Sequence, residues 1–311
     1  MPYPIDKKLV IAVASSALFD LSESDRIFRE HGLEVYRQHQ RDKEQELLKP
    51  GVAFPLIRRI LMLNEGLSAA DAPVEVILLS RNDPDTGLRV LNSIEGHNLS
   101  ITRAGFVNGG NPYRYMSAFN TSLFLSGNVN DVKSAVAAGL PAGRVFPTNF
   151  EDQNDDKELR IAFDFDGIIA DDSAEAVYQA AGLVRFQESE QELAATPLAH
   201  GPLAEFFSRV AGLQRFERER QKRDSAYQTR LRTAIVTSRN SPAHKRVVTT
   251  LRHRGIEVDE VFFLGGIDKG RVLAELRPHI FFDDTLAHIQ GVAGATPSAH
   301  VPFGVANRSS Q

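Results

Sequence analysis

The sequence predicts an α/β protein built on parallel β-sheet. Short apolar runs alternate along the chain with longer amphipathic or charged stretches, and Gly, Pro, Ser and Asn mark the breaks between them. This alternation is typical of strands that are each followed by a covering helix. The chain has 311 residues, more than one hydrophobic core usually holds, so we expect two domains or one large α/β body.

The first half of the chain contains four expected strands. Each is an apolar run that ends in polar or glycine-rich residues and leads towards a helical stretch. The expected strands span residues 9–14, 74–79, 101–106 and 123–125, and the expected helices span 23–39, 54–64 and about 86–94, with a further helix from Pro112. These elements predict an N-terminal α/β domain over residues 1–149.

The second half repeats this pattern after an acidic segment. Residues 150–158 lack an apolar pattern and are predicted to be a linker, so the second domain is expected over 159–311. Its expected strands span residues 159–165, 233–237, 261–264 and 280–282, and its later helices span 245–254 and 270–276. The charged, mostly helical stretch of about 171–230 separates the first two strands, and its run 215–223 is typical of a solvated helix face.

The two halves look like copies of each other. LVIAVASSALFD (9–20) corresponds to LRIAFDFDGIIA (159–170), VILLSRN (76–82) to TAIVTSRN (233–240), and AGFVNGG (104–110) to VFFLGG (261–266). The alternative is that any two α/β halves share the same strand–loop–helix order. If they are copies, the first is degenerate, because it lacks the acidic residues of the second. Ala14 and Ser16 stand opposite Asp164 and Asp166, and Ser126-Gly127 or Gly127-Asn128 stands opposite Asp283-Asp284.

Two carboxylates follow the first strand of the second half. Asp164 and Asp166 are two residues apart, and alternate residues of a strand point to the same side. They should therefore converge at the carboxyl end of the strand, where open α/β sheets bind ligands. Such close carboxylates need a cation between them, or one must be protonated. An all-oxygen site suits Mg²⁺, and Gly167 lets the chain turn away, although a DxDG string alone is common in turns.

Three further positions of the second half place polar groups at the same sheet edge. Thr237 and Ser238 end the next strand, where a hydroxyl and backbone amides can bind a phosphate oxygen. Lys269 can set an ammonium against phosphate, and Asp283-Asp284 adds acidic ligands. Each residue also has a structural alternative: Asp166 as a turn cap, Thr237 as a plain strand end, Lys269 as a solvated lysine and Asp284 as a helix N-cap.

This ordered set resembles the four motifs of the haloacid-dehalogenase-like (HAD) phosphatases over roughly residues 159–290. Segments over most of the chain resemble the cytosolic 5′-nucleotidase type I family: AVASSALFD, PGVAFPLIRRI, IAFDFDGIIADDSAE, IVTSRNSPAHKR, FFLGGIDKGRVL and RPHIFFDD. The resemblance implies a HAD-like Rossmannoid sheet with a small helical cap at about 171–230. It also implies a Mg²⁺-dependent phosphatase that acts on AMP-like nucleoside 5′-monophosphates, in which the first half is a second α/β domain without catalytic carboxylates.

The resemblance also implies a role for each motif residue. Asp164 is the expected nucleophile that forms an aspartyl-phosphate, and Asp166 is the expected general acid and base, whose backbone carbonyl also reaches the metal. Thr237 and Ser238 are expected to bind phosphoryl oxygens, and Lys269 to offset their charge. The expected metal-binding residues are Asp164, Asp166, Asp283 and Asp284, with Asp283 as the direct carboxylate ligand beside Asp164.

The nucleoside-binding residues are less specified by the sequence. In the expected cap, Asp172, Phe186 and Phe206 are candidates for contacting the nucleoside; the alternative is that the phenylalanines pack the cap's own core. Phe19 and Asp20 lie in segments of the first half that match the nucleotidase family. They are expected to line the nucleoside pocket, unless that half serves only structure, a dimer or an effector site.

Composition limits the partners. The net charge of −4 argues against nucleic-acid binding and against binding to a membrane surface. The absence of cysteine excludes disulfides, thiolate zinc sites and a cysteine nucleophile, and the polar N-terminus MPYPIDKKLV favours a cytoplasmic protein. Family resemblance leaves a homo-oligomer open. Two other functions stay open: a HAD phosphatase for another small ester such as a sugar phosphate, and a non-catalytic nucleotide sensor.

Overall fold

The chain divides into two compact units, Met1–Pro147 and Thr148–Gln311. The computed structural model describes residues 3–153 and 155–307. Both units alternate strands with helices around parallel sheet, so the predicted α/β class is confirmed. Among the described residues, no helix is long and apolar enough to cross a lipid bilayer.

The first unit is a parallel sheet of five strands in the order β3-β2-β1-β4-β5. The central strand is buried along its whole length, as expected for a strand covered by helices on both faces. The strands are β1 (Leu9–Val13), β2 (Val74–Ser80), β3 (Arg103–Phe106), β4 (Leu123–Ser126) and β5 (Ala142–Val145). The helices are α1 (Ser15–Leu18), α2 (Ser22–Asp42), α3 (Phe54–Met62), α4 (Pro84–Gly96) and α5 (Val129–Ala137).

The second unit has the same topology, with strand order β8-β7-β6-β9-β10 and parallel pairing. Its strands are β6 (Leu159–Phe163), β7 (Leu231–Thr237), β8 (Glu260–Phe263), β9 (Ile280–Asp283) and β10 (Ser298–His300). Its helices are α6 (Ser173–Glu192), α7 (Ala204–Arg223), α8 (His244–His253), α9 (Lys269–Leu276) and α10 (Leu286–Val292). In each unit, therefore, the first strand is central and its carboxyl end is flanked by two neighbours.

Strand register identifies equivalent positions in the two units. Val13 of β1 pairs with Leu78 and Leu125, and Phe163 of β6 pairs with Ile235 and Phe282. The register selects Ser126-Gly127 as the counterpart of Asp283-Asp284. It also moves the sequence alignment of the SRN segments by one residue. The resulting equivalences are Ser80 with Thr237, Arg81 with Ser238 and Asn82 with Arg239.

Side chains also make matching contacts in the two units. Arg89 Nε donates to the carbonyl of Glu46 over 3.0 Å, and Arg246 Nε donates to the carbonyl of Thr196 over 2.9 Å. The same two helices, α4 and α8, carry a hydroxyl that accepts from the amide of a preceding loop. The pairs are Leu48 with Ser93 and Leu198 with Thr250. These contacts hold each loop to its helix in the same way.

The helices α2 and α6 share a bend. Each contains one glycine with a positive φ, +80° at Gly32 and +77° at Gly182. A left-handed backbone inside a helix interrupts its hydrogen bonds, and glycine adopts it without steric cost. No atom lies within 4 Å of a methyl group built at either glycine, and Leu183 and Val184 next to the second bend are exposed. Each unit thus carries a bent helix with a solvent-exposed elbow.

Several short elements differ from the sequence expectations. The helix expected from Pro112 is a 3₁₀ turn that ends at Tyr115, and β5, α5 and β10 were not expected. Within the segment 150–158, expected as a linker, the described residues 150–153 and 155–158 form no helix or strand. Phe150 packs edge-on against His279, and Asp156 and Glu158 pair with Arg160. This segment therefore contacts the second unit, although Asn154 lies outside the described residues.

Candidate active site

Two acidic side chains meet at the carboxyl ends of the neighbouring strands β6 and β9. Asp164 directly follows β6, and Asp283 is the last residue of β9. Phe163 and Phe282 are paired in the ladder, so the next residue of each strand lies at the same edge. The amide of Asp164 donates to the carbonyl of Phe282 over 2.8 Å, which extends the pairing to the site. The expected convergence of strand ends thus brings these two carboxylates together.

Lys269 joins the two carboxylates. Its Nζ lies 2.9 Å from Asp164 Oδ2 and 2.7 Å from Asp283 Oδ2, and all three side chains are buried. Lys269 is the first residue of α9, which Asp268 caps by accepting a hydrogen bond from the amide of Gly270. The cap fixes where the helix begins, and hence where the ammonium is held.

Burial and charge oppose each other in this trio. Burial disfavours the charge on Lys269, but the two carboxylates outweigh burial and raise its pKa. Burial raises the pKa of Asp164, against the pull of Lys269. Burial acts in the same direction on Asp283, but Lys269 and His288 outweigh it and hold the pKa of Asp283 below its usual value. The lysine is therefore a fixed positive charge between two acids of unequal acidity.

Asp284 lies against the turn that follows Asp164. Its side chain is buried, and a methyl group at Gly167 would overlap its carboxylate. Gly167 has φ +69°, so the turn needs glycine both for its backbone and for the space that Asp284 fills. Burial, followed by the charges of Asp164 and Asp283, raises the pKa of Asp284 to about 9.

The donor set fits a hard divalent cation. Three carboxylates are buried here, those of Asp164, Asp283 and Asp284, and Lys269 pairs with the first two, so the cluster has excess negative charge when all are ionised. Oxygen-rich, acidic sites of this kind suit a cation such as Mg²⁺. Ligand atoms of Asp164, Asp283 and His288 lie within 4.8 Å of one another. Asp164 and Asp283 are therefore placed to hold such an ion, and His288 lies beside Asp283.

His288 was not expected from the sequence. Its Nδ1 lies 3.1 Å from Asp283 Oδ2, and its side chain is partly exposed. It lies in α10, five positions after Asp283, so the helix that follows β9 turns the imidazole back over the strand end. The only sequence signal was its spacing of five residues from Asp283, in the helix that the N-cap alternative for Asp284 implied.

Asp166 pairs with an arginine. Arg239 donates from Nε to Oδ2 and from Nη2 to Oδ1 of Asp166, each over 2.7 Å. The Asp166 side chain is partly exposed, whereas Arg239 is buried. Arg239 stands two residues after Thr237, at the carboxyl end of β7, so it approaches from the strand next to β6. Sequence reasoning missed Arg239, although the TSRN string placed it at this edge.

Thr237 and Ser238 differ in exposure. Thr237 is buried at the end of β7, and its Oγ1 accepts a hydrogen bond from the amide of Arg239 over 3.3 Å. Ser238, the next residue, is exposed. Both lie at the carboxyl edge of the sheet, as expected.

The structure places the nucleoside-binding candidates in different surroundings. Phe206 is fully buried in α7 and packs against Phe163 and Phe282, so its ring offers no surface to a base. The expected cap is therefore not uniform, because α7 belongs to the core. Phe186 of α6 is half-buried and packs edge-on against Tyr178.

The other candidates make local contacts. Asp172 accepts a hydrogen bond from the amide of Val305 over 2.7 Å. Phe19 is buried in the first unit, where it packs with Phe54 and His97, so its ring also offers no surface. Asp20 is exposed and accepts hydrogen bonds from Ser22.

Comparison with known proteins identifies the family. A model of the 5′-nucleotidase family matches residues 1–308. The chain is similar to cytosolic 5′-nucleotidase 1B of Homo sapiens, with 31% identity over 297 residues that cover 93% of this chain and 48% of the relative. It thus spans about half the length of that relative. No solved structure matches. Because the family match runs along nearly the whole sequence, the chain belongs to the 5′-nucleotidase family.

Proposed function

We propose that the second unit is a 5′-nucleotidase that hydrolyses nucleoside 5′-monophosphates. The observation that carries the proposal is the buried trio of Asp164, Lys269 and Asp283 at the ends of two neighbouring strands. Family membership and the name of the human relative support the substrate class. The word cytosolic in that name supports a cytoplasmic location, and a homo-oligomer stays a prediction.

In this proposal Asp164 is the nucleophile. One of its carboxylate oxygens bonds to phosphorus while the bond from phosphorus to the ribose oxygen breaks. The electron pair left on that oxygen takes a proton from the carboxyl of Asp166. Asp166 then accepts a proton from water, which attacks the aspartyl-phosphate, releases phosphate and restores Asp164. Asp166 thus donates a proton in the first step and regains one from water in the second.

Other side chains stabilise the charge that develops on the phosphoryl oxygens. Lys269 already holds a buried positive charge against Asp164, so it needs no rearrangement during the reaction. Thr237 and Ser238 offer hydroxyl groups at the end of β7. We propose that Asp164, Asp283 and Asp284, with the backbone carbonyl of Asp166, hold Mg²⁺. The ion would supply charge neutralisation next to the phosphate.

We infer that the two units are copies of one ancestral unit and that only the second is catalytic. Their common strand order and matching arginine–carbonyl contacts support the duplication. Ala14 and Ser126 occupy the places of Asp164 and Asp283, so the first unit lacks the acids that would hold a cation.

Phosphate release tests the proposal. The parent is assayed with nucleoside monophosphates and with sugar phosphates, in Mg²⁺ and in EDTA, beside Asp164→Asn. We expect the parent in Mg²⁺ to prefer nucleotides, and the variant and the EDTA samples to release almost no phosphate. Preference for a sugar phosphate would change the substrate class. Equal release by parent and variant would rule out Asp164 as nucleophile, and tight nucleotide binding without any turnover would favour a sensor.

A further inference from the structure

A chain of four alternating charges leads away from the candidate active site. Arg239 donates two hydrogen bonds to Asp166 from Nε and Nη2. Its third nitrogen, Nη1, pairs with Glu190 Oε2. Arg246 Nη1 then donates to Glu190 Oε1 over 2.7 Å. The side-chain exposure falls from 21% at Asp166 to 2% at Arg239 and 1% at Glu190. The chain therefore begins at the solvent-accessible site and ends inside the second unit.

Two aromatic rings also pack against the guanidinium of Arg239. Its Cζ lies 5.5 Å from the ring centroid of Phe165 and 5.6 Å from that of Phe186. A planar group that is bound at two edges and packed against two rings has little freedom to rotate. The two parallel hydrogen bonds pass this restriction on to Asp166, because they fix the plane of its carboxylate.

The first unit shows which members of this series of charged side chains occur only together with the catalytic acids. Asp166, Arg239 and Glu190 are all replaced there by uncharged residues, and the charge chain is absent. Arg246, in contrast, has an arginine counterpart that makes the same contact with a loop carbonyl. The equivalent residues are Ser16 for Asp166, Asn82 for Arg239, Gln40 for Glu190 and Arg89 for Arg246.

This comparison separates support of the fold from support of the site. The fold forms with Asn82 and Gln40 in these places, so it does not need an ion pair there. Buried ion pairs also add little net stability compared with apolar packing. Stability alone therefore does not account for Arg239 and Glu190, which occur only where a carboxylate occupies the Asp166 position.

We propose that Arg239 is a positioning residue that holds the Asp166 carboxyl in line with the leaving oxygen, and that Glu190 anchors Arg239. This inference rests on the proposed function, because it gives Asp166 the proton-transfer role. Glu190 belongs to α6, in the segment expected to form the cap. The contact therefore ties the orientation of Asp166 to the position of α6.

A comparison of two leaving groups tests the role of Arg239. A ribose oxygen leaves with difficulty unless it is protonated, whereas p-nitrophenolate leaves without a proton. The ratio kcat/KM reports the steps up to transfer of phosphorus to Asp164, so slow hydrolysis of the phospho-enzyme does not obscure it. General acid catalysis typically contributes about 10²- to 10⁴-fold. Arg239→Met should lower kcat/KM for a nucleoside monophosphate by on the order of 10- to 100-fold more than for p-nitrophenyl phosphate.

A double-mutant cycle tests whether Arg239 acts through Asp166. Asp166→Asn removes the proton donor and should show the same preference for p-nitrophenyl phosphate. Adding Arg239→Met to Asp166→Asn should then change kcat/KM by less than about threefold, because residues that act as a unit are not additive. A merely structural role would lower kcat/KM for both substrates and would do so in both backgrounds.

Two milder variants keep the test valid if Arg239→Met folds poorly. Arg239→Lys keeps the charge but loses the bidentate hydrogen bonding, and Glu190→Gln introduces the residue that the first unit has at this place. Both should lower kcat/KM for the nucleotide more than for p-nitrophenyl phosphate, by a smaller factor than Arg239→Met does. Arg232→Gln is the control, because Arg232 lies at the other end of β7, is half-exposed, and pairs there with Glu158 and Glu260. It should leave both kcat/KM values within about twofold.

Equal losses on both substrates in the folded variants would overturn the inference, and so would an additive double mutant. Failure of the proposed function has a different signature. A parent that hydrolyses a sugar phosphate but no nucleotide would remove the nucleotidase assignment, and the leaving-group comparison would then be made with that sugar phosphate.

Discussion

Lys269 Nζ lies 2.9 Å from Asp164 Oδ2, and both groups are buried. Replacing this lysine by methionine keeps the length of the side chain and removes its charge. We expect kcat to fall by about 100-fold or more, because a fixed charge at the reacting group stabilises the transition state. Steady-state kinetics with a nucleoside monophosphate measure this loss.

The Lys269→Met variant has a matched surface control. Lys222 is 71% exposed and pairs with Glu219 over 2.6 Å. Lys222→Met should therefore change kcat by less than about twofold and the free energy of unfolding by less than about 0.5 kcal/mol. A Lys269→Met enzyme with near-parental kcat would mean that the lysine only balances charge in the folded protein.

Gly167→Ala should damage both stability and activity. Position 167 has a positive φ, which alanine adopts unfavourably, and the new methyl group would overlap the carboxylate of Asp284. We expect a loss of about 2–6 kcal/mol in the free energy of unfolding, the sum of backbone strain and overpacking. Gly182→Ala measures the backbone strain alone, because Gly182 has a similar φ of +77° but no atom within 4 Å of the added methyl. Urea unfolding compares the two, and equal losses would contradict the contact with Asp284.

Gly201 and Gly51 occupy equivalent turns in the two units and should respond alike to alanine. A methyl group at Gly201 would overlap the carbonyls of Ile168 and Ala170, and one at Gly51 would lie 2.8 Å from the backbone of Ala17 and Phe19. Rigid backbone cannot move aside cheaply, so each substitution should cost about 1–3 kcal/mol of stability.

A third glycine gives the opposite expectation. Gly291 lies inside α10 with open space around it, so Gly291→Ala should stabilise the protein by about 0.5–1 kcal/mol. Thermal unfolding of Gly51→Ala, Gly201→Ala and Gly291→Ala shows whether each substitution raises or lowers the melting temperature. Stabilisation by Gly201→Ala would show that its turn is looser than described.

Removing a proposed metal-binding carboxylate should abolish stabilisation by Mg²⁺. Any ion that binds only the folded state raises its melting temperature with concentration. We expect the parent to melt at higher temperature as MgCl₂ increases, and EDTA to reverse the shift. Asp283→Asn should show no shift. Glu205→Gln, an exposed partner of Arg209, should respond as the parent does. A full shift in Asp283→Asn would place the ion elsewhere.

Sequence reasoning identified the residues whose positions follow from strand register. Asp164 and Asp283 each come at the end of an apolar run, and parallel strands end at one edge, so their meeting was predictable. Arg239 and His288 were not, because their contacts depend on how a loop and a helix return to that edge. Phe206 was a candidate for the nucleoside site with core packing as the alternative, and its contacts with Phe163 and Phe282 favour the packing alternative.

The short elements were missed for a related reason. The strand Ser298–His300 has three residues and little apolar character, so no periodicity marks it. Its place comes from pairing with β9, in which Ala299 lies beside Phe282. Such a strand is defined by its neighbour and not by its own composition, whereas the long apolar runs of β1, β2, β6 and β7 were predictable on their own.

The exposed elbow of α6 also gives experimental access to motion during turnover. The native sequence has no thiol, so a single cysteine introduced at Val184, whose side chain is 71% exposed, would be a unique attachment point for a fluorophore. A dye at that position would signal whether the bent helix changes its surroundings when a nucleotide arrives, and time-resolved emission would give the rate without disturbing any group that handles phosphate.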